Sequence, residues 1–287
     1  MKRCKFLFVL ILLFEFVFYP ILLVIHWWKV YHFTEGKGRT RNKFDVNRKV
    51  KVCVHEWGGY SPVRTKTIKK GMTFTCGLQS QIDRFSDSTR FDLWITMSDI
   101  EKWKYPYLLE KLKVYSVSNV GMDFSGYNFF YQNNKEKLDS YVILTNSSVN
   151  SYNEEFIASY INYMENNLDV GALGISYCTK MYQTLVRPNF YPHIQSFFIL
   201  TTMCVLKEIV NLNHGHFPGD GVGDKLLLIR RGEIKFSQLI LKAGYRLAVV
   251  DPMTKKPFKF TSFTNWIWCK GDVRQYVTQP NRIISIT

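Results

Sequence analysis

The sequence has too little of several residue types to belong to the protein classes that they define. Among its 287 residues are only 9 prolines, 17 glycines and 6 cysteines, while 46% of the chain is apolar. This composition excludes a collagen-like fibre, a disordered chain and a small disulfide-rich scaffold. The cysteines form neither a C-x-x-C pair nor the Cys/His spacing of a zinc site, so we expect free, buried thiols and no structural zinc.

Acidic residues are also scarce, and the resulting positive charge is unevenly distributed. The chain carries 38 Lys and Arg against 23 Asp and Glu, a net charge of +15. Residues 1–51 alone contain eleven basic and three acidic residues, which flank the one long apolar run of the sequence. A membrane surface with anionic headgroups fits this arrangement better than a nucleic acid does, so we expect membrane lipid and no nucleic acid among the partners.

The apolar run, residues 6–25, predicts a single membrane anchor. Twenty helical residues span about 30 Å, the thickness of the hydrocarbon core of a bilayer. We therefore assign residues 1–5 to a short tail and residues 6–28 to a transmembrane helix, in which Glu15 would be protonated or paired. A cleaved signal peptide is the alternative, but the run is long and no small-residue cleavage site follows it. Basic residues lie on both sides of the apolar run, so the sequence leaves the orientation of the anchor open. We expect the domain on the Golgi or ER lumenal side if the protein is eukaryotic, and on the cytoplasmic face of the inner membrane if it is bacterial.

The rest of the sequence divides into a basic stem and one domain. Residues 29–49 are polar and have no apolar period, which predicts a flexible stem. Within residues 50–287, apolar runs that predict strands alternate with helical patterns. The strands are expected at 50–54, 91–97, 114–117, 141–144 and 245–250. This alternation predicts an α/β domain with a mainly parallel central sheet.

Sequence patterns predict the start of one helix and the end of another. Ser151 and Glu154 form a capping-box pattern ahead of an apolar helical face. Residues 233–243 predict a later helix, which Gly244 would end.

The loop after the strand at 114–117 is the first candidate site, because ligands of α/β sheets bind at the carboxyl ends of strands. Asn119 lies at its start. Gly121 and Gly126 would let the backbone approach a ligand, and N–H groups near Gly126 would face a phosphate at a helix start. Asp123 would accept hydrogen bonds from sugar hydroxyls. An ordinary Asn/Gly/Asp turn is the alternative.

Two further polar segments adjoin predicted strands. Asn146 and Ser147 follow the strand at 141–144, where they could position a substrate but would bind a divalent metal poorly. His193 and Gln195 enter a later apolar strand, and His193 could orient a substrate or act as an acid or base. The alternatives are a strand-end cap and a structural histidine.

The fourth candidate site combines Glu233 with nearby basic residues. We expect Glu233 at the start of the later helix, where the helix dipole would keep its carboxylate ionised as a base candidate. Arg230, Arg231 and Lys235 would neutralise a leaving diphosphate. The alternative is a helix cap with a solvated basic face.

Five segments within residues 50–252 occur in an uncommon order. They are NVGMDFSGY, YVILTNSSV, a strand ending in GISY, HIQSFFIL and EIKFSQLILKAGYRL. This series resembles the rhamnan synthesis protein F family of glycosyltransferases, with its N-x-G-x-D-x-G-type loop, L-x-N-[DS]-S strand end, H-x-Q-S-[FY]-F strand and E-x-x-x-[ST] helix before A-G-Y. The resemblance implies a GT-A-like, Rossmann-type domain that uses nucleotide-activated sugars.

The resemblance also implies roles for the matching residues. The residues on the donor side would be Asn119, Gly121, Asp123 and Gly126. The site after the central strand would be lined by Asn146 and Ser147. The reacting sugar would be surrounded by His193, Gln195 and Glu233. The family often has an acid at the position of Ser147, and many sugar-nucleotide enzymes hold a metal with a D-x-D motif that is absent here. We therefore assign no metal ligand, and Mn²⁺ or Mg²⁺ dependence stays open.

Together these patterns predict a membrane-anchored glycosyltransferase. It would move a sugar from a nucleoside diphosphate sugar to a hydroxyl of a glycan or lipid-linked acceptor, with Glu233, Asp123 and His193 as catalytic candidates. The alternative is a non-catalytic, membrane-tethered module that binds a glycan or nucleotide and has kept the fold.

Overall fold

The structure, a computed structural model, describes residues 2–22, 24–25, 39–45, 48–68, 71–178, 192–260 and 277–287. The helices are α1 Lys2–Val17, α2 Leu78–Arg84, α3 Pro106–Lys111, α4 Asp123–Asn134, α5 Ile157–Asn166, α6 Met203–Leu212, α7 Lys225–Leu228 and α8 Lys235–Lys242. The strands are β1 Val50–Trp57, β2 Arg64–Thr67, β3 Thr73–Cys76, β4 Phe91–Ser98, β5 Val114–Val117, β6 Tyr141–Asn146, β7 Val170–Gly174, β8 Tyr177–Cys178, β9 His193–Ile194, β10 Phe198–Thr202, β11 Arg246–Val250 and β12 Pro257–Phe260.

Eight of these strands form one central sheet, in the order β12-β11-β7-β10-β6-β1-β4-β5. Strand β1 is parallel to both β4 and β6, β4 is parallel to β5, and β7 is parallel to β11. Strand β10 runs antiparallel between β6 and β7, and β12 is antiparallel to β11. The fold is therefore α/β with a mainly parallel central sheet, as the alternation of patterns predicts.

Both faces of the sheet are buried, because helices cover each of them. Along β1, Cys53 points into the cluster that contains α4, α6 and α8, while Val52 and Val54 point into the cluster that contains α2 and α5. Burial on both faces explains why the strands read as continuous apolar runs. It also explains why their positions could be predicted from apolar content alone.

Helix α4 lies unusually close to the sheet at Gly126. A Cβ atom at this position would be 2.3 Å from Thr96 Oγ1 and 2.4 Å from His55 Nδ1. The prediction that Gly126 lets the backbone approach a ligand is therefore wrong. Its small size instead permits the contact of α4 with β1 and β4.

The helix ends agree only in part with the predictions. The capping box at Ser151 and Glu154 does not form, since α5 begins at Ile157 without a side-chain cap. Ser151 N–H donates instead to the carbonyl of Thr75, and Glu154 pairs with Lys255 and Arg282. The later helix ends as predicted, just before Gly244 with its φ of +96°.

The N-terminal region differs from the expected tail and anchor. Helix α1 begins at Lys2 and has 16 residues. Within the parts of the chain described above, no helix combines the length and the hydropathy needed to cross a membrane. Residues 23 and 26–38 lie outside the described residues, and with them the end of the expected anchor and the start of the stem.

The described part of the expected flexible stem, residues 39–45, packs on the domain. Arg41 is buried and donates to the carbonyl of Met164 and to Glu165. Arg39 pairs with Glu208. These contacts hold the segment against α5 and α6.

The cysteines agree with the expectation of free thiols. Among the side chains that the structure describes, Cys53 and Cys76 are free and buried, Cys204 is free and half-buried, and Cys178 is buried. Burial raises the pKa of Cys53, which packs against Thr96 and the carbonyl of Gly126.

We expect Gly126→Ala to destabilise the protein, because the added methyl group would collide with Thr96 and His55. The loss should be about 1–3 kcal/mol or more of unfolding free energy, measured by urea denaturation. Gly223→Ala is the matched control, since its Cβ would meet only Val120 Cγ1, at 3.8 Å. Equal effects of the two changes would contradict this account.

A second prediction concerns the pH dependence of stability. Burial lowers the pKa of His55 from 6.5 to about 3, so the folded protein holds this imidazole neutral. The stability that His55 contributes is therefore present above pH 6.5 and is lost as the pH falls toward 3. Relative to His55→Gln, the wild type should lose about 1.4 kcal/mol per pH unit in acid. Urea unfolding at several pH values, with exposed His216→Gln as control, tests this; parallel curves for wild type and His55→Gln would refute it.

Candidate functional site

The carboxyl ends of β1 and β6 form the centre of the candidate site. The chain passes from β1 to β4 and β5 on one side, and then returns to β6 on the other side of β1. This reversal is the topological switch point at which open α/β sheets bind ligands. Glu56 lies near the end of β1, Asn146 ends β6, and Ser147 follows it.

Asp123 and Asn146 are in direct contact at this edge of the sheet. Asn146 Nδ2 donates to Asp123 Oδ2 over 2.6 Å, and Asn146 Oδ1 accepts from Ser148 N–H. Asp123 is the first residue of α4, so its carboxylate also lies at the positive end of that helix. The two residues present an amide and a half-buried carboxylate side by side.

The environment of Asp123 changes its proton affinity. Burial raises the pKa of this carboxyl above its ordinary value. The hydrogen bond from Asn146 opposes the rise, as do the charges of Lys66, Lys225 and Arg64. The charges of three basic side chains therefore act on this carboxyl group without cancelling the effect of its burial.

The loop before α4 has a conformation that glycine favours. Gly121 and Met122 have φ values of +106° and +48°, and a Cβ at Gly121 would be 2.7 Å from Ser125 Oγ. Gly121 is thus required by the backbone of the loop. Asn119 donates to Asp99 Oδ2 over 3.1 Å and ties the loop to the end of β4.

Glu233 does not lie at a helix start, contrary to the prediction. The helix begins at Lys225, where Asp224 accepts hydrogen bonds from Leu226 and Leu227 N–H, and a π turn at Ile229–Ile234 joins α7 to α8. Glu233 is therefore in the middle of a continuous helical segment. The argument from the helix dipole does not apply to it.

Glu233 contacts the residues around β9. Its Oε1 accepts from Ser196 N–H over 3.0 Å and from Ser196 Oγ over 2.6 Å. Its Oε2 is 3.7 Å from His193 Nε2, and His193 is fully buried. The structure thus brings together these two predicted catalytic residues.

Tyr127 links the helix that carries Asp123 to the residue that binds Glu233. Its hydroxyl donates to the carbonyl of Ser196, the residue bound by Glu233, and it lies one helical turn after Asp123. Burial raises the pKa of Tyr127 well above its ordinary value, and the nearby charges of Asp123 and Glu233 add to the rise. Asp123 and Asn146 are thus in contact, and Glu233 binds the residue that Tyr127 reaches from one turn further along α4.

Sequence reasoning missed a buried cluster beside this region. Ser147 Oγ donates to Glu56 Oε1 over 2.6 Å, and Arg64 donates to both Ser147 Oγ and Glu56 Oε2. Burial raises the pKa of Glu56, while the charge of Arg64 and these hydrogen bonds oppose the rise. The signal in the sequence is the acid of V-H-E-W, at the end of an otherwise apolar strand.

The remaining predicted residues are Gln195, Arg230, Arg231 and Lys235, and the roles of Arg231 and Lys235 stay predictions. Gln195 is buried and exchanges hydrogen bonds with Ser176, which joins β9 to the end of β7. Arg230 forms a two-point ion pair with Glu15 of α1, so the prediction that it is available to a diphosphate is wrong. Arg231 is exposed and Lys235 is half-buried.

No group of three or more His, Cys, Asp and Glu side chains that could hold a metal is found among the described residues.

Comparisons with known proteins leave the family open. No protein-family model and no curated protein matches the chain. Its fold is similar to that of CMP:2-keto-3-deoxy-manno-octonic acid synthetase complexed with CTP, with a TM-score of 0.41 and 9% sequence identity over 70% of this chain and 89% of that chain. A similarity this distant carries no argument about function. Membership in the rhamnan synthesis protein F family stays a prediction.

The contact between Asn146 and Asp123 gives a third prediction. The hydrogen bond from Asn146 stabilises the charged form of Asp123 and so lowers its pKa. We therefore expect Asn146→Ala, which removes this bond, to raise the pKa of Asp123 further. Carboxyl-carbon NMR titration of Asp123 measures the shift. Exposed Asn133→Ala, at the other end of α4, is the control, and an unchanged or lowered pKa in Asn146→Ala would contradict the assignment.

Proposed function

We propose that the protein is a glycosyltransferase that moves a sugar from a nucleoside diphosphate sugar to a hydroxyl of a glycan or lipid-linked acceptor. The observation that supports this most is a chain of contacts at the switch point of the sheet. Asp123 contacts Asn146 there, and Tyr127, one helical turn after Asp123, donates to the carbonyl of Ser196, whose N–H and hydroxyl bind Glu233. Such a transfer needs a base for the acceptor hydroxyl, charge relief for the diphosphate, and stabilisation of a positively charged sugar centre.

The donor sugar nucleotide is assigned to the side of Asp123 and Asn146. Their carboxylate and amide are held together by a 2.6 Å hydrogen bond and suit the hydroxyls of a ribose or sugar. The N-terminus of α4 adds a positive partial charge at the same place.

Charge relief for the diphosphate is assigned to basic residues near Asp123. Lys66 and Lys225 both act on the pKa of Asp123, whereas Arg230 is paired with Glu15. Lys225 is exposed at the start of α7. Lys66 lies on β2, on the same face as Arg64, which Glu56 and Ser147 hold to the sheet end.

The acceptor base is assigned to Glu233. Two hydrogen bonds from Ser196 hold its Oε1, and its Oε2 lies toward His193. A carboxylate fixed in this way is oriented for proton abstraction, with His193 as the group that positions it.

A non-catalytic binding module is the second candidate. The observation that favours it is the Glu56–Ser147–Arg64 cluster, in which the polar groups at the end of β1 are already bound to one another. Such a module would bind a nucleotide or glycan and would not release nucleotide from a donor.

Turnover of a panel of nucleoside diphosphate sugars by the full chain, with and without Mn²⁺, tests the enzyme. We expect Asp123→Asn and Glu233→Gln each to lower kcat/KM by at least about 100-fold, because each removes a carboxylate that contacts the substrates. The matched control is Glu136→Gln, an exposed carboxylate just beyond the other end of α4.

Retained turnover in both variants would contradict the site assignment. Donor binding by the parent protein without any turnover would support the binding module instead.

A further inference from the structure

One face of the N-terminal helix lies against the domain. The buried or half-buried side chains on this face are Phe8, Ile11, Leu12, Glu15, Tyr19 and Leu22. The described side chains between them in the sequence are exposed. The spacing is that of one helical stripe, and a hydrogen bond from Leu22 N–H to the carbonyl of Phe18 extends the helical turns beyond α1. From Phe8 to Leu22 the stripe runs about 21 Å along the domain.

A charged contact fixes this stripe in place. Both terminal nitrogens of Arg230 donate to the carboxylate of Glu15, and the two side chains are only 12% and 18% exposed. The guanidinium of Arg230 also lies 5.5 Å from the centre of the Phe8 ring. Ile11 packs against the core cluster that contains α7 and α8. Removing either charge would leave the other poorly solvated, so the pair favours the docked helix.

The outer face of the same helix is apolar. Its exposed side chains are Phe6, Leu7, Val9, Leu10, Leu13, Phe14, Phe16, Val17, Phe18 and Ile21. A continuous apolar surface of this kind indicates an interaction site. The sequence places Lys2, Arg3 and Lys5 at its N-terminal end, and their charges complement anionic headgroups.

The docked position is incompatible with a helix that crosses the bilayer. Glu15 lies at the middle of residues 6–25, so a spanning helix would hold it near the bilayer midplane. Arg230 and its π turn would then have to enter the hydrocarbon core as well. In a spanning helix, the docked stripe would extend over about 21 Å of the roughly 30 Å thickness of the hydrocarbon core, so the domain would have to enter the core with it.

We propose that α1 is a monotopic membrane-binding helix. It stays docked on the domain through the Glu15–Arg230 pair and lies in one leaflet, with its outer apolar face against the acyl chains of an anionic phospholipid bilayer. This inference goes beyond the proposed function and does not depend on sugar chemistry. It replaces the transmembrane assignment of residues 6–28.

Protease accessibility of the full chain with an N-terminal epitope tag tests the topology. The protein is bound to preformed vesicles that contain phosphatidylserine, and protease is added outside. We expect the tag and the domain to be digested together. A tag that is protected until detergent is added, beside a digested domain, would establish a spanning helix and overturn the proposal.

The Glu15–Arg230 pair is tested by hydrogen exchange. Glu15→Gln and Arg230→Gln should each accelerate amide exchange in α1 and α7 by at least about tenfold, and the reversed pair Glu15→Arg with Arg230→Glu should restore protection. Arg231→Gln, the exposed neighbour on the same turn, is the matched control. Single variants that exchange like this control would overturn the docking contact.

The lipid-facing surface is tested by vesicle sedimentation. Phe14→Asp should weaken binding to phosphatidylserine vesicles by at least about tenfold, because it places a charge among the acyl chains. Met253→Asp is the control, since Met253 is 71% exposed and lies in the turn between β11 and β12, outside α1. Equal binding by both variants, or a dimer that hides Phe14 and prevents vesicle binding, would contradict the proposal.

Discussion

The site depends on the close contact between the first turns of α4 and the strands β1 and β4. Gly126 allows this contact, because any side chain there would meet Thr96 and His55. Three residues before it, Asp123 reaches Asn146 at the end of β6; one residue after it, Tyr127 reaches the carbonyl of Ser196. A single tight helix–sheet contact therefore sets the positions of both halves of the candidate site.

Charge pairing determines which side chains are available to a ligand. Arg64 is bound by Glu56 and Ser147, Arg230 by Glu15, and Arg41 by Glu165. Each of these basic residues is mostly buried, and each satisfies an acid that would otherwise be costly to bury. The net positive charge of the chain is therefore a poor guide to where an anion could bind. For the proposed diphosphate, Lys66 and Lys225, whose charges act on Asp123, are better candidates.

Much of the fold could be predicted because the central strands are buried on both faces. Strand β6, which is buried throughout, extends the predicted run by two residues, and the half-buried edge strand β5 has the predicted bounds 114–117. Asp123 and Asn146 follow such strands in the sequence, which is why their proximity could be expected. The end of β1 could not be predicted, because its polar His55 and Glu56 interrupt the apolar pattern while remaining in the strand.

Contacts between segments that are distant in the sequence could not be predicted, because no local sequence pattern indicates them. The pairing of Glu15 with Arg230 joins residues 215 positions apart. In α1, apolar residues occur all around the helix, so hydropathy does not reveal which face docks. The start of the last helical segment could not be predicted either. The π turn at Ile229–Ile234 disrupts the α-helical period of 3.6 residues by which a helix is recognised in a sequence.

The π turn carries both Arg230 and Glu233, three residues apart. The partner of one is Glu15 on α1, and the partner of the other is the Ser196 backbone beside Tyr127. Under the proposed adsorption of α1 to a bilayer, a shift of this helix would reach the Glu233 carboxylate through one turn of backbone. Under the proposed sugar transfer, turnover would then follow the amount of adsorbed protein per unit of lipid area, and a bulk-phase assay without lipid would sample only the unadsorbed geometry.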